Sequence, residues 1–257
     1  MISVKEYDKD RFDRSKRIDW IDIDRIGKAR CLVAGAGALG NEAVKCLVLS
    51  GFRDITITDT DHVVASNLNR CVFFREGDVK EGPKSEILAE RASELDHNVR
   101  IHSRRTKVQD IEDWACFDIV LGCLDNIAAR LHVNANAYFF GVPYVDGGTD
   151  GMYGKVQVVV PNGPCLQCSM NRSHYDLTET RFSCTGKESV FYVPKMASEI
   201  TTTSVIAAMQ VREAMKIVSG CEDRCIRNAA YYDGMTGETF VLEIRKDETC
   251  DNHIGEE

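Results

Sequence analysis

No apolar run in this sequence approaches the roughly 20 residues that a membrane-spanning helix needs, so no membrane partner is expected. The first twenty residues are charged throughout and lack the apolar core of a signal peptide, which predicts a cytoplasmic location. Internal repeats and low-complexity stretches are also missing, which argues against repeat architectures.

An excess of basic residues is absent too. The net charge of −8 argues against a nucleic-acid partner. With 44% hydrophobic and 28% charged residues, the composition is that of a globular protein with a sizeable core. The eleven cysteines are a high and odd number, and without a signal peptide a disulfide framework is not expected. We expect buried cysteines, metal ligands or a reactive thiol instead.

Strand-like and helix-like segments alternate along the first part of the chain. The strand-like segments are 31–35, 54–59, 99–105, 117–123 and 142–148, and the helix-like segments are 39–51, 84–96 and 126–141. This rhythm predicts an α/β fold, a Rossmann-like doubly wound sheet that is mainly parallel.

The pattern changes after residue 151. An alternating strand at 153–161, a long helix at 197–219 and two closing strands predict antiparallel strands at the C-terminal end. We interpret 1–257 as a single domain with three special segments. These are a polar, helical lead-in (1–28), a loop-rich crossover (169–196) and a tail (250–257).

The stretch "LVAGAGALG" (32–40) has the glycine spacing of a dinucleotide-binding fingerprint. It predicts a nucleotide loop containing Gly35, Gly37 and Gly40. Asp59 follows Gly40 by 19 residues at the end of the second strand, where an acid binds a ribose hydroxyl. The glycine spacing alone leaves NAD and ATP both open.

Further polar residues favour ATP over NAD. Asp61, Asn67 and Arg70 lie at the carboxyl end of the predicted sheet, where ligands bind in open α/β folds. Lys84 stands at a predicted helix start, and two cations near a glycine loop suit a triphosphate because they neutralise a leaving phosphate. Asp125, just after the fourth strand, is a candidate ligand for Mg²⁺.

Two short pairs near the C-terminal half have the spacing of zinc ligands. Cys165 and Cys168 form a C-x-x-C pair, and Cys250 and His253 form a second pair with the same spacing. Together they predict a structural Cys₃His zinc site without an open position for catalysis. Cys221 with Cys225 is a competing second pair, and 250–253 as a frayed tail is the alternative without metal.

Several motifs occur in order and together resemble one family, the adenylation domain of ubiquitin-activating-enzyme-like proteins (the MoeB/ThiF/HesA superfamily). The motifs are "GAGALG", "DTDHVVASNLNR", "EGPKSEILAERASELDHNVRI", "GCLDNIAAR" and "VPYVDGGTDGMYGKVQVVVPNGPCLQC". The resemblance implies that the glycine loop and Asp59 hold ATP, that Asn67, Arg70 and Lys84 line its phosphates, and that Asp125 binds Mg²⁺.

The resemblance also implies roles outside the nucleotide loop. "RFDR" (11–14) is similar to an N-terminal motif whose second arginine, Arg14, reaches the phosphates of a neighbouring subunit, so a homodimer is expected. "SCTG" (183–186) matches the Cys-Thr pair of the thioester-forming members, which makes Cys184 the candidate nucleophile; an incidental loop cysteine is the alternative. Cys71 departs from the family's glutamine and is expected to pack rather than react.

The implied reaction has two steps. The C-terminal glycine of a small ubiquitin-like or sulfur-carrier β-grasp protein is first adenylated with ATP, and Arg14, Arg70, Lys84 and Asp125 stabilise the charge. Cys184 then takes the acyl group as a thioester, for which a conjugating enzyme is a candidate acceptor. Three alternatives stay open: a sulfur-carrier adenylyltransferase that stops at the acyl-adenylate, a non-catalytic scaffold, and an NAD-dependent oxidoreductase.

Overall fold

The computed structural model describes residues 9–170, 197–226 and 228–253 of the chain. Within these residues, eight strands form one sheet and five α-helices pack on it. The strands are β1 (Arg30–Ala34), β2 (Asp54–Thr58), β3 (Arg100–Arg104), β4 (Ile119–Gly122), β5 (Tyr144–Asp150), β6 (Tyr153–Val159), β7 (Ala229–Asp233) and β8 (Glu238–Leu242). The helices are α1 (Ile23–Lys28), α2 (Ala38–Ser50), α3 (Lys84–Ser93), α4 (Ile127–Phe139) and α5 (Ile200–Val218).

The strand order is β3-β2-β1-β4-β5-β6-β7-β8. The first five strands of this order are parallel, and the last three pair antiparallel. The predicted Rossmann-like sheet with antiparallel C-terminal strands is therefore confirmed. The order reverses between β1 and β4, and ligands of open α/β sheets bind at such a reversal, outside the carboxyl ends of the strands.

Apolar side chains are buried on both faces of the sheet, as expected for parallel strands that are covered by helices. On one face, residues of α2, α3 and α5 pack in a common core against strand residues such as Val33 and Ile57. On the other face, residues of α4 pack with Leu32, Tyr144 and the C-terminal Cys250. None of the helices in the described ranges is long and apolar enough to cross a membrane.

The helix ends follow the sequence signals. α2 ends at Gly51, which adopts a left-handed φ of 104°, and the Asn126 side chain caps α4 by accepting the backbone N–H of Ala129 at 2.8 Å. The lead-in differs from its expectation. Within 9–28, helix is confined to a 3₁₀ turn (Ser15–Arg17) and to α1.

Candidate active site

The glycine loop (35–40) connects β1 to α2 at the switch point of the sheet. Gly35 has a φ of +105°, and a Cβ there would lie 2.4 Å from the carbonyl oxygen of Cys123. A Cβ on Gly40 would lie 2.0 Å from the carbonyl oxygen of Gly35. These two glycines therefore allow close backbone packing, which no larger residue permits.

Gly37 has a different role in the same loop. It is the N-cap of α2, and a Cβ there would meet nothing within 4 Å. The space beside this glycine is open at the positive end of a helix dipole, which is where a phosphate group binds. The loop therefore has the form of a phosphate cradle.

Asp59, directly after β2, holds the glycine loop. One carboxylate oxygen accepts the backbone N–H of Ala36 at 2.7 Å, and the other accepts the N–H of Asp61 at 2.8 Å. Burial raises the pKa of Asp59, and these two hydrogen bonds oppose that effect. The side chain is half-buried, so its remaining lone pairs are available to a ribose hydroxyl.

Asn41 is a site residue that sequence analysis missed. It is fully buried on the first turn of α2, and its amide nitrogen donates to the carbonyls of Ala36 and Gly37, each at 3.0 Å. Its amide oxygen accepts the backbone N–H of Phe73 at 3.1 Å. Asn41 thus ties the glycine loop to the segment that follows Arg70. The sequence feature that could have marked Asn41 as a site residue is a polar side chain in a helix that packs on the sheet.

Lys84 is the first residue of α3, as predicted, and is only 9% exposed. Its ammonium lies 2.8 Å from a carboxylate oxygen of Asp61, which is itself exposed. The structure therefore brings together Lys84, Asp61 and Asp59 at one edge of the sheet. A buried cation that is held by an exposed carboxylate can exchange this partner for a phosphate oxygen.

Asn67 and Arg70 lie on the turn between β2 and α3. Asn67 is buried, and its side-chain oxygen accepts the N–H of Val64 at 3.0 Å, so it shapes the turn. The Arg70 guanidinium donates to the carbonyl of Ser66 and, at 3.0 Å, to Asn69. Local hydrogen bonds thus hold both side chains on this turn.

Cys71 packs in the core and is 3% exposed. Burial raises the pKa of its thiol to about 11, so the thiolate is scarce at neutral pH. The prediction that Cys71 packs in the core is confirmed.

Asp125 lies on the bend between β4 and α4 and is exposed. It comes two residues after Cys123, and the carbonyl of Cys123 faces Gly35. The bend therefore adjoins the glycine loop. An exposed carboxylate at this position is free to ligate a hard cation beside the phosphate cradle. The structure thus places the predicted magnesium ligand at the switch point.

A buried ion pair that sequence analysis missed anchors this bend. Arg130, on α4, donates from Nε to a carboxylate oxygen of Asp146 at 2.9 Å and from Nη2 to the other oxygen. Asp146 is fully buried on β5 and also accepts the Tyr144 hydroxyl at 2.6 Å. The pair connects the first turn of α4, which follows the bend, to the sheet.

The neighbours of Arg14 in the chain contact the C-terminal ends of α2 and α3. The ring of Phe12 lies 3.3 Å from the Cβ position of Gly51, at the C-terminal end of α2. The guanidinium of Arg11 forms a salt bridge with Asp96 at 2.9 Å, beyond the end of α3. Because α2 separates these contacts from the glycine loop by about 20 Å, Arg14 is remote from the nucleotide loop of its own chain.

The structure brings the four predicted zinc ligands together. Their ligand atoms all lie within 4.8 Å of one another. The Sγ atoms of Cys165 and Cys250 are 3.7 Å apart, those of Cys165 and Cys168 are 3.8 Å apart, and Cys168 Sγ lies 3.7 Å from His253 Nε2. A tetrahedral zinc with bonds of about 2.3 Å to sulfur requires a sulfur–sulfur distance of about 3.8 Å. The geometry fits that ion.

Outer contacts orient this four-ligand cluster. His253 Nδ1 lies 3.1 Å from the carbonyl oxygen of Asp247, which leaves Nε2 for a metal. Asn252 donates to Cys165 Sγ at 3.5 Å. Burial alone would raise the pKa of the Cys165 thiol. The hydrogen bonds to its sulfur, of which that from Asn252 has the largest effect, outweigh burial, so the pKa of Cys165 is lowered. In contrast, burial raises the pKa of Cys250 to about 12.

The competing pair, Cys221 and Cys225, lies apart from this cluster. Cys221 Sγ lies 3.9 Å from the carbonyl of Trp20, and Cys225 Sγ lies 3.9 Å from the carbonyl of Glu213. Within the described ranges, these two cysteines do not belong to the group of potential metal ligands. The predicted nucleophile, Cys184, falls outside the described residues.

Comparison with known proteins identifies the family. The model of the ThiF family matches residues 13–252. The chain belongs to the ThiF family. The family resemblance of the sequence motifs is thereby confirmed.

Curated relatives of this ThiF-family chain include activating enzymes. The NEDD8-activating enzyme E1 catalytic subunit of Arabidopsis thaliana is 29% identical over 86% of the chain and 64% of the relative. The SUMO-activating enzyme subunit 2 of Dictyostelium discoideum is 37% identical over 57% of the chain and 23% of the relative. The chain therefore spans less than two thirds of the length of these relatives.

Solved structures with the same fold include E. coli MccB. Its crystal structure with AMPCPP and MccA matches 95% of the chain and 74% of MccB, with a TM-score of 0.76 and 19% identity. The structure of MccB with ATP matches 97% of the chain and 76% of MccB, with a TM-score of 0.74 and 18% identity. At this identity the likeness shows the fold alone.

Proposed function

We propose that this ThiF-family chain activates the C-terminal glycine of a small ubiquitin-like or sulfur-carrier protein by adenylation with ATP. One observation carries the proposal: four groups lie together at the switch point of the sheet. They are the open glycine loop at Gly37, the carboxylate of Asp59, the buried ammonium of Lys84 and the carboxylate of Asp125. These groups match the parts of ATP: phosphates, ribose and the metal that accompanies them. The names of the curated relatives support the same activity.

In the first step the glycine carboxylate attacks the α-phosphorus of ATP. A carboxylate oxygen–phosphorus bond forms, the bond to the bridging oxygen breaks, and pyrophosphate leaves with the electron pair. Lys84 and Arg70, and Arg14 from a second copy of the chain, neutralise the charge that builds up on the phosphates. Magnesium on Asp125, when bound, supplies further charge neutralisation and orients the phosphates.

In the second step the Cys184 thiolate attacks the acyl carbon of the adenylate. A thioester forms and AMP leaves. This step belongs to the proposal through the Cys184-Thr185 pair of the sequence and through the activating enzymes among the relatives. We further propose that zinc in the four-ligand cluster has a structural role, that the protein is a homodimer, and that it acts in the cytoplasm.

Two assays test the proposal. Asp125→Ala is expected to abolish ATP–pyrophosphate exchange that depends on a glycine-terminated partner, and the exposed Asp110→Ala is the matched control. Non-reducing gels should show a thiol-sensitive adduct that is lost in Cys184→Ala and kept in Cys116→Ala, which changes an exposed cysteine elsewhere. Exchange without an adduct would assign the chain to the sulfur-carrier adenylyltransferases. Full exchange in Asp125→Ala would remove Asp125 from the metal role.

A further inference from the structure

Two buried amides hold the C-x-x-C turn (165–168), which carries two of the four predicted zinc ligands. The side chain of Asn134, on α4, accepts the backbone N–H of Leu166 through Oδ1 at 2.8 Å. The side chain of Gln157, on β6, donates from Nε2 to the carbonyl oxygen of Cys165 at 3.2 Å. Both side chains are fully buried. The N–H of Leu166 and the carbonyl of Cys165 belong to one peptide group, so the helix and the sheet fix that group from both ends.

The amide nitrogen of Asn134 is a buried donor. Within the described ranges, Asn134 Nδ2 forms no hydrogen bond of normal geometry. A buried polar atom is nearly always hydrogen-bonded in a folded protein, because an unpaired one loses its hydration without compensation. The position of Nδ2 therefore indicates an acceptor that is fully formed only in another state of the site.

The sulfur of Cys165 is the acceptor next to this amide. Asn134 Oδ1 is bound to the residue that follows Cys165, and the same amide is one of the donors that lower the pKa of the Cys165 thiol. From the C-terminal tail, Asn252 Nδ2 donates to this sulfur at 3.5 Å. Two amides from separate elements are therefore directed at one sulfur of the four-ligand cluster.

Metal binding changes what this sulfur can accept. A cysteine bound to zinc is a thiolate, whereas a free thiol is only a weak acceptor. Hydrogen bonds to a charged acceptor are roughly twice as strong as those between neutral groups. Donors beside the ligands of a metal also keep these ligands in position, and their loss typically weakens metal binding by about 10–100-fold. The amide of Asn134 is therefore suited to the metal-bound state of Cys165.

We propose that Asn134 is a positioning residue of the zinc site. Its Oδ1 sets the backbone of the C-x-x-C turn, and its Nδ2 donates to Cys165 Sγ when that sulfur is bound to metal. This assignment rests on one part of the proposed function, zinc in the four-ligand cluster, and is independent of adenylation. Asn134 does not contact the ion in this scheme.

A purely structural role of Asn134 is the alternative. In that case the contact between Oδ1 and Leu166 would only join α4 to the C-x-x-C turn, and Nδ2 would have no effect on the metal. The two roles use different atoms of one amide. A substitution that keeps the acceptor and removes the donor therefore separates them.

Asn134→Asp is that substitution. It keeps an oxygen for the N–H of Leu166 and places a second oxygen where the amide faces Cys165. Competition with a chromophoric chelator should show that the full chain then binds zinc about 10–100-fold more weakly. Asn136→Asp makes the same change two residues further along α4, where the amide donates to the carbonyl of His132, and should bind zinc like the unchanged protein. Equal zinc affinity in Asn134→Asp and the unchanged protein overturns the assignment.

A measurement on the unchanged protein decides the question if Asn134→Asp does not fold. Cadmium is a soft ion that thiolate ligands bind, so the full chain is loaded with an NMR-active cadmium isotope in place of zinc. A hydrogen bond from Asn134 to Cys165 Sγ should produce a scalar coupling between the side-chain amide protons of Asn134 and the metal. The side chain of Asn136 should show none. Absence of the coupling at Asn134 overturns the assignment.

Zinc binding by the unchanged protein separates this assignment from the function on which it rests. An unchanged protein that binds no zinc would overturn both the role of Asn134 and the zinc part of the proposed function. Zinc binding without an effect of Asn134 would overturn the assignment alone. Adenylation is measured separately, by pyrophosphate exchange, and does not depend on either result.

Discussion

The carboxylate of Asp59 and the backbone N–H of Ala36 form a 2.7 Å hydrogen bond that joins the end of β2 to the glycine loop. The same carboxylate accepts the N–H of Asp61, whose side chain holds Lys84 at 2.8 Å. One half-buried acid therefore sets the positions of the phosphate cradle and of the lysine that faces it. Its role extends beyond the ribose contact that the sequence predicts.

Asp59→Asn should weaken both the fold and nucleotide binding. The amide has one acceptor oxygen in place of two, so its NH₂ group must face a backbone N–H of Ala36 or Asp61. We expect a loss of about 1–3 kcal/mol in the free energy of unfolding, measured with urea, because a buried donor is left without a partner. ATP should bind at least about tenfold more weakly by calorimetry, since one lost hydrogen bond to a charged group has that effect. Asp110→Asn is the control, and unchanged binding in Asp59→Asn would contradict the positioning role.

The four-ligand cluster predicts one zinc ion per chain. Cys168→Ser should lose the metal, because serine is a poor zinc ligand, while His253→Cys should retain it. Loss of zinc frees the C-terminal segment from α4 and the sheet, and we expect the melting temperature to fall by about 5–10 °C. Metal analysis and thermal unfolding measure the two effects.

Cys221→Ser provides the matched control for the zinc prediction, since its sulfur contacts Trp20 and not the cluster. It should keep both the metal and the melting temperature. Purified protein without zinc, or a Cys168→Ser variant that still holds one ion per chain, would disprove the prediction.

The sequence predicts most of the fold because the strands and helices have clear periodicity and clear ends. The glycine loop, Lys84 and the zinc ligands are also predictable, since each has a local motif with fixed spacing. The sequence does not predict the contact between Asn41 and Phe73 or the ion pair between Arg130 and Asp146. Their partners are separated along the chain and meet only after the sheet has formed, so no local pattern marks them.

Glu199 caps the helix that follows the segment containing Cys184, and its protonation should affect stability at low pH. Its carboxylate accepts the backbone N–H groups of Thr201 and Thr202 and the Thr201 hydroxyl. Burial acts to raise the pKa of Glu199, but these hydrogen bonds prevail and lower it to about 2. Because the pKa is lower in the folded state, the stabilisation is complete above the unfolded-state value of about 4.5 and is lost as the pH falls towards 2.

Glu199→Gln tests this dependence. The variant should lose about 1 kcal/mol at pH 7, the usual contribution of an N-cap. The difference between the variant and the unchanged protein should shrink as the pH falls from about 4.5, when unfolding by urea is followed over that range. Glu112→Gln, at an exposed position, should show no such change. A constant difference across the whole range would mean that the Glu199 charge does not stabilise the cap.

Arg14 lies far from the glycine loop of its own chain, so a role at the phosphates requires a second copy. Arg14→Ala and Asp125→Ala should each abolish pyrophosphate exchange when they are assayed alone. Mixing the two variants, with exchange of subunits, produces dimers in which one site has both mutations and the other has neither. In a twofold dimer with random mixing, about a quarter of the unchanged activity should return.

Mixing Arg70→Ala with Asp125→Ala is the control, because both residues belong to the same site and every site then has one defect. Recovery only in the first mixture requires a composite site. No recovery in either mixture, although subunit exchange is demonstrated, would exclude Arg14 from the phosphates of the neighbouring copy.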